Sequence, residues 1–144
     1  MQVHHILKSK ADDGVITVKP AALVSEAAAI LAEKRIGTVV ISAEGTTADG
    51  ILSERDIVRQ LAKHGAACLT AAVSDYMTTK LQTCTRDEEA DAILTRMTEG
   101  RFRHMPVVED GTLIGLITIG DVVKARLSEL SMEKTALEGM IMGY

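Results

Sequence analysis

The chain has 144 residues, 47% of them hydrophobic and 25% charged, with a net charge of -4, enough apolar material for one compact domain or two small intimate ones. The aromatics are Tyr76, Phe102 and Tyr144, with no Trp, so the core is aliphatic and lacks the stacking platforms of a single-stranded nucleic-acid binder. The acidic balance gives no general electrostatic reason to bind nucleic acid, and no apolar run approaches the ~20 residues that span a bilayer.

Residues 1–14 read as a lead-in, with Ile6 and Leu7 starting a short helix that docks on the body and ends near Asp13 and Gly14. The first eight residues lack the apolar segment of a signal peptide. Cys68 and Cys84 have no close Cys or His partner, which fits free thiols in a reducing compartment, so a cytoplasmic protein is expected. His4 and His5 are adjacent and face different ways, so no metal site is expected. The charges of Lys8, Lys10 and Glu54 read as solvated surface.

Residues 15–18 form a short strand stopped by Pro20. Residues 24–35 form a helix with Ala27, Ala28, Ile30 and Leu31 on one face, ended by Gly37. Residues 38–41 are a β-branched run, hence a buried strand. A turn at 44–49 leads to a strand at 50–52 and a helix at 54–64, closed by Gly65. A helical turn at 73–77, matching Ile6 and Leu7, opens a second pass through the same order. A strand follows at 81–84. Thr85 and Glu88 form a capping-box signature for a helix to residue 99, with Ala90, Ile93, Leu94 and Met97 inward and Gly100 as its stop. The strand at 103–108 contains Pro106, which implies an edge or a position whose N–H is not needed. A turn at 109–111 and a strand at 112–117 lead into a helix from Asp121. In the tail, Leu130, Leu137 and Tyr144 recur every seven residues beside Met140 and Ile141. This is an amphipathic helix with a spare apolar stripe, which either packs on its own domain or contacts a second copy.

The chain is organised around Gly115-Leu116-Ile117-Thr118-Ile119-Gly120-Asp121 and its earlier copy, Gly50-Ile51-Leu52-Ser53-Glu54-Arg55-Asp56. Each is a strand running into a helix, with a hydroxyl at the N-cap and a carboxylate three residues on. Displacement by 66 residues puts Val18 on Cys84, Arg35 on Arg101 and Ile41 on Val107; after a one-residue gap, displacement by 65 puts Ser53 on Thr118 and Asp56 on Asp121. The order is β-α-β-β-α twice, with divisions at 1–65 and 66–130 and a C-terminal helix at 131–144. Neither half is long enough to bury much surface alone. The halves are expected to pack face to face around one shared core, with two clefts between them.

Two such units resemble the cystathionine-β-synthase (CBS) domain pair, or Bateman module, on Gly50–Asp56, Gly115–Asp121 and Arg101-Phe102-Arg103-His104-Met105-Pro106-Val107. The whole is similar to the small stand-alone bacterial CBS-pair proteins. The resemblance implies an α+β fold of two pseudo-symmetric repeats and a regulatory sensor that binds AMP, ADP, ATP or NAD(H) in its clefts, with S-adenosylmethionine a lesser candidate. It implies that Asp56 and Asp121 each hold a ribose and that Ser53 and Thr118 seat the ribose-phosphate. It further implies that the backbone around Thr17, Val18, Thr83 and Cys84 reads the adenine edge. Thr38, Val39, Met105 and Pro106, with Ile51 and Leu116, would sandwich the ring, and Arg103, His104 and Arg55 would approach phosphates. A free helix N-terminus suits such an anion. The resemblance also implies a homodimer paired through its helices, with any effector protein supplied in trans. The copies differ: Arg103-His104-Met105-Pro106 stands where the first has Gly37-Thr38-Val39-Val40, so unequal clefts are expected.

No nucleophile lies at useful spacing from a base, and neither a Walker-type phosphate loop nor a metal-ligand cluster is present in the sequence. A non-enzyme is expected. The competing reading is an assembly or interaction protein with vestigial clefts that acts through its C-terminal helix.

Overall fold

A computed structural model describes residues 1–10 and 14–142 of the protein; Asp13 and Tyr144, invoked above, lie outside that range. The elements run α1 (Val3–Ser9), β1 (Thr17–Val18), α2 (Val24–Lys34), β2 (Thr38–Ile41), β3 (Gly50–Ser53), α3 (Glu54–His64), α4 (Ala90–Gly100), β4 (His104–Glu109), β5 (Thr112–Thr118) and α5 (Ile119–Met142), with 3-10 segments at Gly65–Thr70 and Val73–Asp75. The fold is the expected α+β pair of repeats with a C-terminal helix.

The repeat extends to hydrogen-bond register. In the first half β1 runs parallel to β2, with Val18 opposite Ile41, and β2 runs antiparallel to β3, with Thr38 opposite Ser53. In the second, Cys84 bridges Val107 in parallel, and β4 runs antiparallel to β5, with His104 opposite Thr118. The strand expected at 81–84 is reduced to that single bridge. Proline explains the loss: Val40 donates its N–H to the Ile16 carbonyl at 3.2 Å, and Pro106 at the matching position has no N–H to give.

Three helix ends also differ from expectation. Residues 85–89 form a turn, and α4 starts at Ala90. Thr85 N–H does donate to Glu88 Oε2 at 2.7 Å, so the contact forms but closes the turn that precedes the helix. The left-handed residues that end α2 and α4 are Arg35 (φ 55°) and Arg101 (φ 57°), not Gly37 and Gly100.

The apolar side chains form two clusters rather than one shared core. Val18, Val24, Ala27, Leu31, Val39, Ile41, Leu52 and Ile57 fill the first; Ala90, Ile93, Met97, Met105, Val107, Ile117 and Val122 fill the second. Each repeat borrows the lead-in of the other. Val3 and Ile6 of α1 are buried in the second cluster, while Val73 is buried in the first. The opening glycines of the two motifs make room for this exchange. A Cβ on Gly50 would lie 2.6 Å from Met77 Sδ, and one on Gly115 would lie 2.6 Å from a Leu7 methyl. The halves are held together by reciprocal docking, which a repeat offset alone does not reveal.

α5 is one unbroken helix of 24 residues. Val122 and Ala125 are buried against the second cluster, but Leu130, Leu137 and Met140 are 48%, 58% and 79% exposed. The spare stripe therefore remains uncovered by its own chain over the described residues. Both cysteines are buried free thiols, and burial, reinforced by Glu88, pushes the Cys84 thiol up to about 12.

Candidate functional site

The two motifs fold into the same local device. Ser53 caps α3: its N–H and its hydroxyl donate to Asp56 Oδ2 at 2.9 and 3.0 Å, and Asp56 N–H donates to the hydroxyl at 3.2 Å. At the head of α5, Thr118 N–H donates to Asp121 Oδ2 at 2.9 Å, and Asp121 N–H donates to the Thr118 hydroxyl at 3.1 Å. Each box is tied to its own strand entry, since Glu54 N–H donates to the Gly37 carbonyl at 2.9 Å and Ile119 N–H to the Arg103 carbonyl at 2.8 Å. Lys10 Nζ reaches Asp121 Oδ2 at 2.9 Å. Burial pushes the Asp121 carboxyl up, but Lys10 and the Thr118 donors together outweigh it and hold the group below its ordinary value. The stability from this box is present above the ordinary aspartate range and is lost as pH falls through the lowered value.

Two cavities open beside the boxes. One, of about 310 Å³, is lined by Ile51, Ser53, Arg55 and Asp56 of the first repeat and by Arg101, Phe102, Arg103 and His104 of the second, with Arg59 at its edge. The other, of about 350 Å³, is lined by Leu116 and Thr118 of the second repeat and by Val15, Ile16, Ile36, Gly37 and Thr38 of the first. Each cleft therefore combines the capping hydroxyl of one repeat with the strand entry of the other. His104 and Thr38 line both. The Thr38 hydroxyl is buried and without a hydrogen-bond partner among the described residues, an arrangement that is costly unless something else supplies the bond. Burial lowers the His104 imidazole below its ordinary value against the opposing pull of Glu54.

Of the residues singled out in the sequence, Ile51, Ser53, Arg55, Asp56, Arg103 and His104 meet in the first cleft, and Thr38, Leu116 and Thr118, with Asp121 behind them, meet in the second. Val18, Val39, Cys84 and Met105 are core side chains, and Pro106 is buried with them. Thr17 is half-buried in β1, and Thr83 is exposed, its carbonyl taken by Arg96 Nη2 at 2.8 Å. Neither side chain lines a cleft. Beside the Asp121 cleft lie instead the residues one or two positions before Thr17, Val15 and Ile16. Sequence reasoning also missed Ile36 and Phe102, which occupy matching repeat positions just before each strand. It set aside Lys8 and Lys10 as surface, although both line the Asp121 cleft. Among the described residues, no cluster of three or more potential metal ligands occurs, and no helix is long and apolar enough to cross a membrane.

The sequence profile of the CBS domain matches residues 7–63 and again residues 73–128. The chain belongs to the CBS domain family. Among curated relatives it is 31% identical to the mitochondrial CBS domain-containing protein CBSX3 of Arabidopsis thaliana, over 98% of this chain and 72% of that one. Its fold superposes on the CBS-domain containing protein ATU1752 of Agrobacterium tumefaciens with a TM-score of 0.82 and 43% identity, covering 88% of this chain and 99% of the other. It also superposes on the CBS domain pair of protein MJ0100, solved with 5′-methylthioadenosine and S-adenosyl-L-methionine, with a TM-score of 0.78 and 25% identity, covering 90% and 98%. A CBS pair of this size is thus a small module of two repeats.

Proposed function

We propose that this CBS pair is a non-catalytic regulatory module that binds an adenosyl ligand in the clefts between its repeats. The observation that carries this reading is the duplication of one hydroxyl–carboxylate capping pair beside two cavities, with Ser53 and Asp56 on the wall of one and Thr118 on the wall of the other with Asp121 behind it, and with the unpartnered Thr38 hydroxyl buried between them. A carboxylate whose outer oxygen is free of the capping box accepts from the vicinal hydroxyls of a ribose, and the adjacent helix N–H groups favour a phosphate. In this reading Asp56 and Asp121 each take a ribose, and Ser53 and Thr118 lie beside it. Arg55, Arg103 and His104 meet phosphate in the Asp56 cleft, whose four arginines make it the more basic of the two. AMP, ADP, ATP and NAD(H) are the ligands favoured; the thioadenosyl compounds bound by the MJ0100 pair mark the same adenosyl class. A ligand that touches both repeats stabilises one mutual arrangement, and that preference is what a protein partner in trans would read. We further propose that the module works as a homodimer.

The test is calorimetric titration of nucleotide-stripped protein with AMP, ADP, ATP, NAD⁺, NADH and S-adenosylmethionine. Saturable binding of at least one phosphate-bearing ligand, with unequal affinities when both clefts fill, is expected. Failure of every one of them to bind removes the sensor reading. The exposed stripe of Leu130, Leu137 and Met140 supports the second reading, assembly through α5. Truncation after Glu129 would then lower the mass seen by light scattering, and an unchanged mass would remove α5 from any role in assembly.

A further inference from the structure

α5 outruns the domain it belongs to. The CBS profile stops at residue 128, whereas α5 continues to Met142, and its last side chain buried in the body is Ala125. Residues 130–142 are therefore an overhang, of a length that is marginal as a helix in water unless something packs on it. Along α5, Val123, Leu127, Leu130, Lys134, Leu137 and Ile141 follow at alternating steps of four and three residues, the repeat of a coiled-coil seam. Leu127 and Ile141, towards its two ends, are 62% and 76% exposed. Lys134, the polar member, is exposed and has a single ion pair among the described residues, with Glu138 at 3.9 Å.

We infer that the seam is covered by the same seam of a second copy, running antiparallel and centred level with Met132. The inference rests on the reading of α5 as an assembly helix and adds the partner, the direction and the register. In this register Val123 lies against the partner's Ile141, Leu127 against the partner's Leu137 and Leu130 against the partner's Lys134. Every seam position then has a counterpart over a strip about 27 Å long. Each overhang rests on the part of the partner's helix that is rooted in its core. Charge favours the same arrangement. Lys124 comes opposite the partner's Glu138, and Lys134 comes beside the partner's Glu133, on both sides of the axis. The Lys134 stem lies over a leucine while its ammonium stays at the wet edge. Parallel helices would instead stack Lys134 on its own copy and set Glu133 against the partner's Glu138.

Cysteine cross-linking of the full chain tests this. Cys68 and Cys84 are buried, so mild oxidation reports on introduced thiols. Leu127→Cys and Leu137→Cys, each made alone, should give no covalent dimer, because like positions sit about 15 Å apart in this register, beyond disulfide reach. The chain carrying both should give one. In sedimentation, Glu138→Lys should loosen the dimer about fivefold, and Lys124→Glu added to it should restore the parent affinity. A covalent dimer from either single variant, none from the double variant, or no restoration by the charge exchange overturns the antiparallel register and leaves α5 an assembly helix. A parent chain that sediments as one copy, or a dimer that survives truncation after Glu129, removes the assembly reading itself, and the seam with it.

Discussion

Asp121→Asn is expected to weaken adenosyl-ligand binding in one cleft by tenfold to a hundredfold, about 1.4 to 2.8 kcal/mol, and Asp56→Asn to do the same in the other. Asparagine is the informative replacement because it still caps. Its side-chain oxygen accepts from the backbone N–H of Ser53 or Thr118 as the carboxylate does now at 2.9 Å, so helix and cleft wall stay in place. What is lost is the charge, and hydrogen bonds to a charged acceptor are roughly twice as strong as neutral ones. In Asp121→Asn the Lys10 ammonium also loses its anionic partner. Calorimetry separates the two sites, because each substitution should remove one binding component and leave the other within twofold. A thermal melt close to that of the parent would confirm that neither change acts by unfolding.

The capping boxes were legible because a cap is local: a hydroxyl and a carboxylate three residues apart, at the point where a two-residue period gives way to a helical one. The repeat made them more than caps and carried the hydrogen-bond register, from Val18–Ile41 to Cys84–Val107. The same offset, applied to the start of α2 at Val24, points to Ala90 as the start of α4. The capping-box signature at Thr85 pointed elsewhere, because a side chain that satisfies one N–H can close a turn as easily as a helix. What the sequence did not show is set by contacts between distant segments. Nothing local says that α1 completes the core of the second repeat, or that the capping hydroxyl of one half faces the strand entry of the other. Lys10 looked like a solvated charge for the same reason, since its partners lie 106 and 111 residues away. The core side chains Val39 and Met105 entered the candidate set because a strand near a cleft alternates its faces, and the resemblance alone did not say which face opens on the ligand; Val18 and Cys84 entered for their backbone, which burial of their side chains does not touch.

Gly50→Ala is expected to destabilise the fold by about 2 kcal/mol, the scale of overpacking a filled site, and Gly115→Ala by less than half as much. At Gly50 the added Cβ meets Met77 Sδ at 2.6 Å and the Thr78 carbonyl oxygen at 3.1 Å. That carbonyl accepts from Ile51 N–H at 3.0 Å, so relief of the clash pulls on the bridge that fastens the lead-in of the second repeat to the first. At Gly115 the clash is with the Leu7 side chain, which can turn aside. Denaturant or thermal unfolding of the two variants measures the difference. Equal losses would mean that the two lead-ins are held in the same way, and the asymmetry drawn here would be wrong.

The most direct test is a titration of AMP and ATP into nucleotide-stripped protein, alongside the Asp56→Asn/Asp121→Asn double variant. Composite clefts that grip a ribose through these carboxylates predict saturable binding to the parent chain and loss of both components in a double variant that still melts cooperatively. A double variant that binds as tightly as its parent would place the ligand elsewhere and contradict the assignment of both clefts.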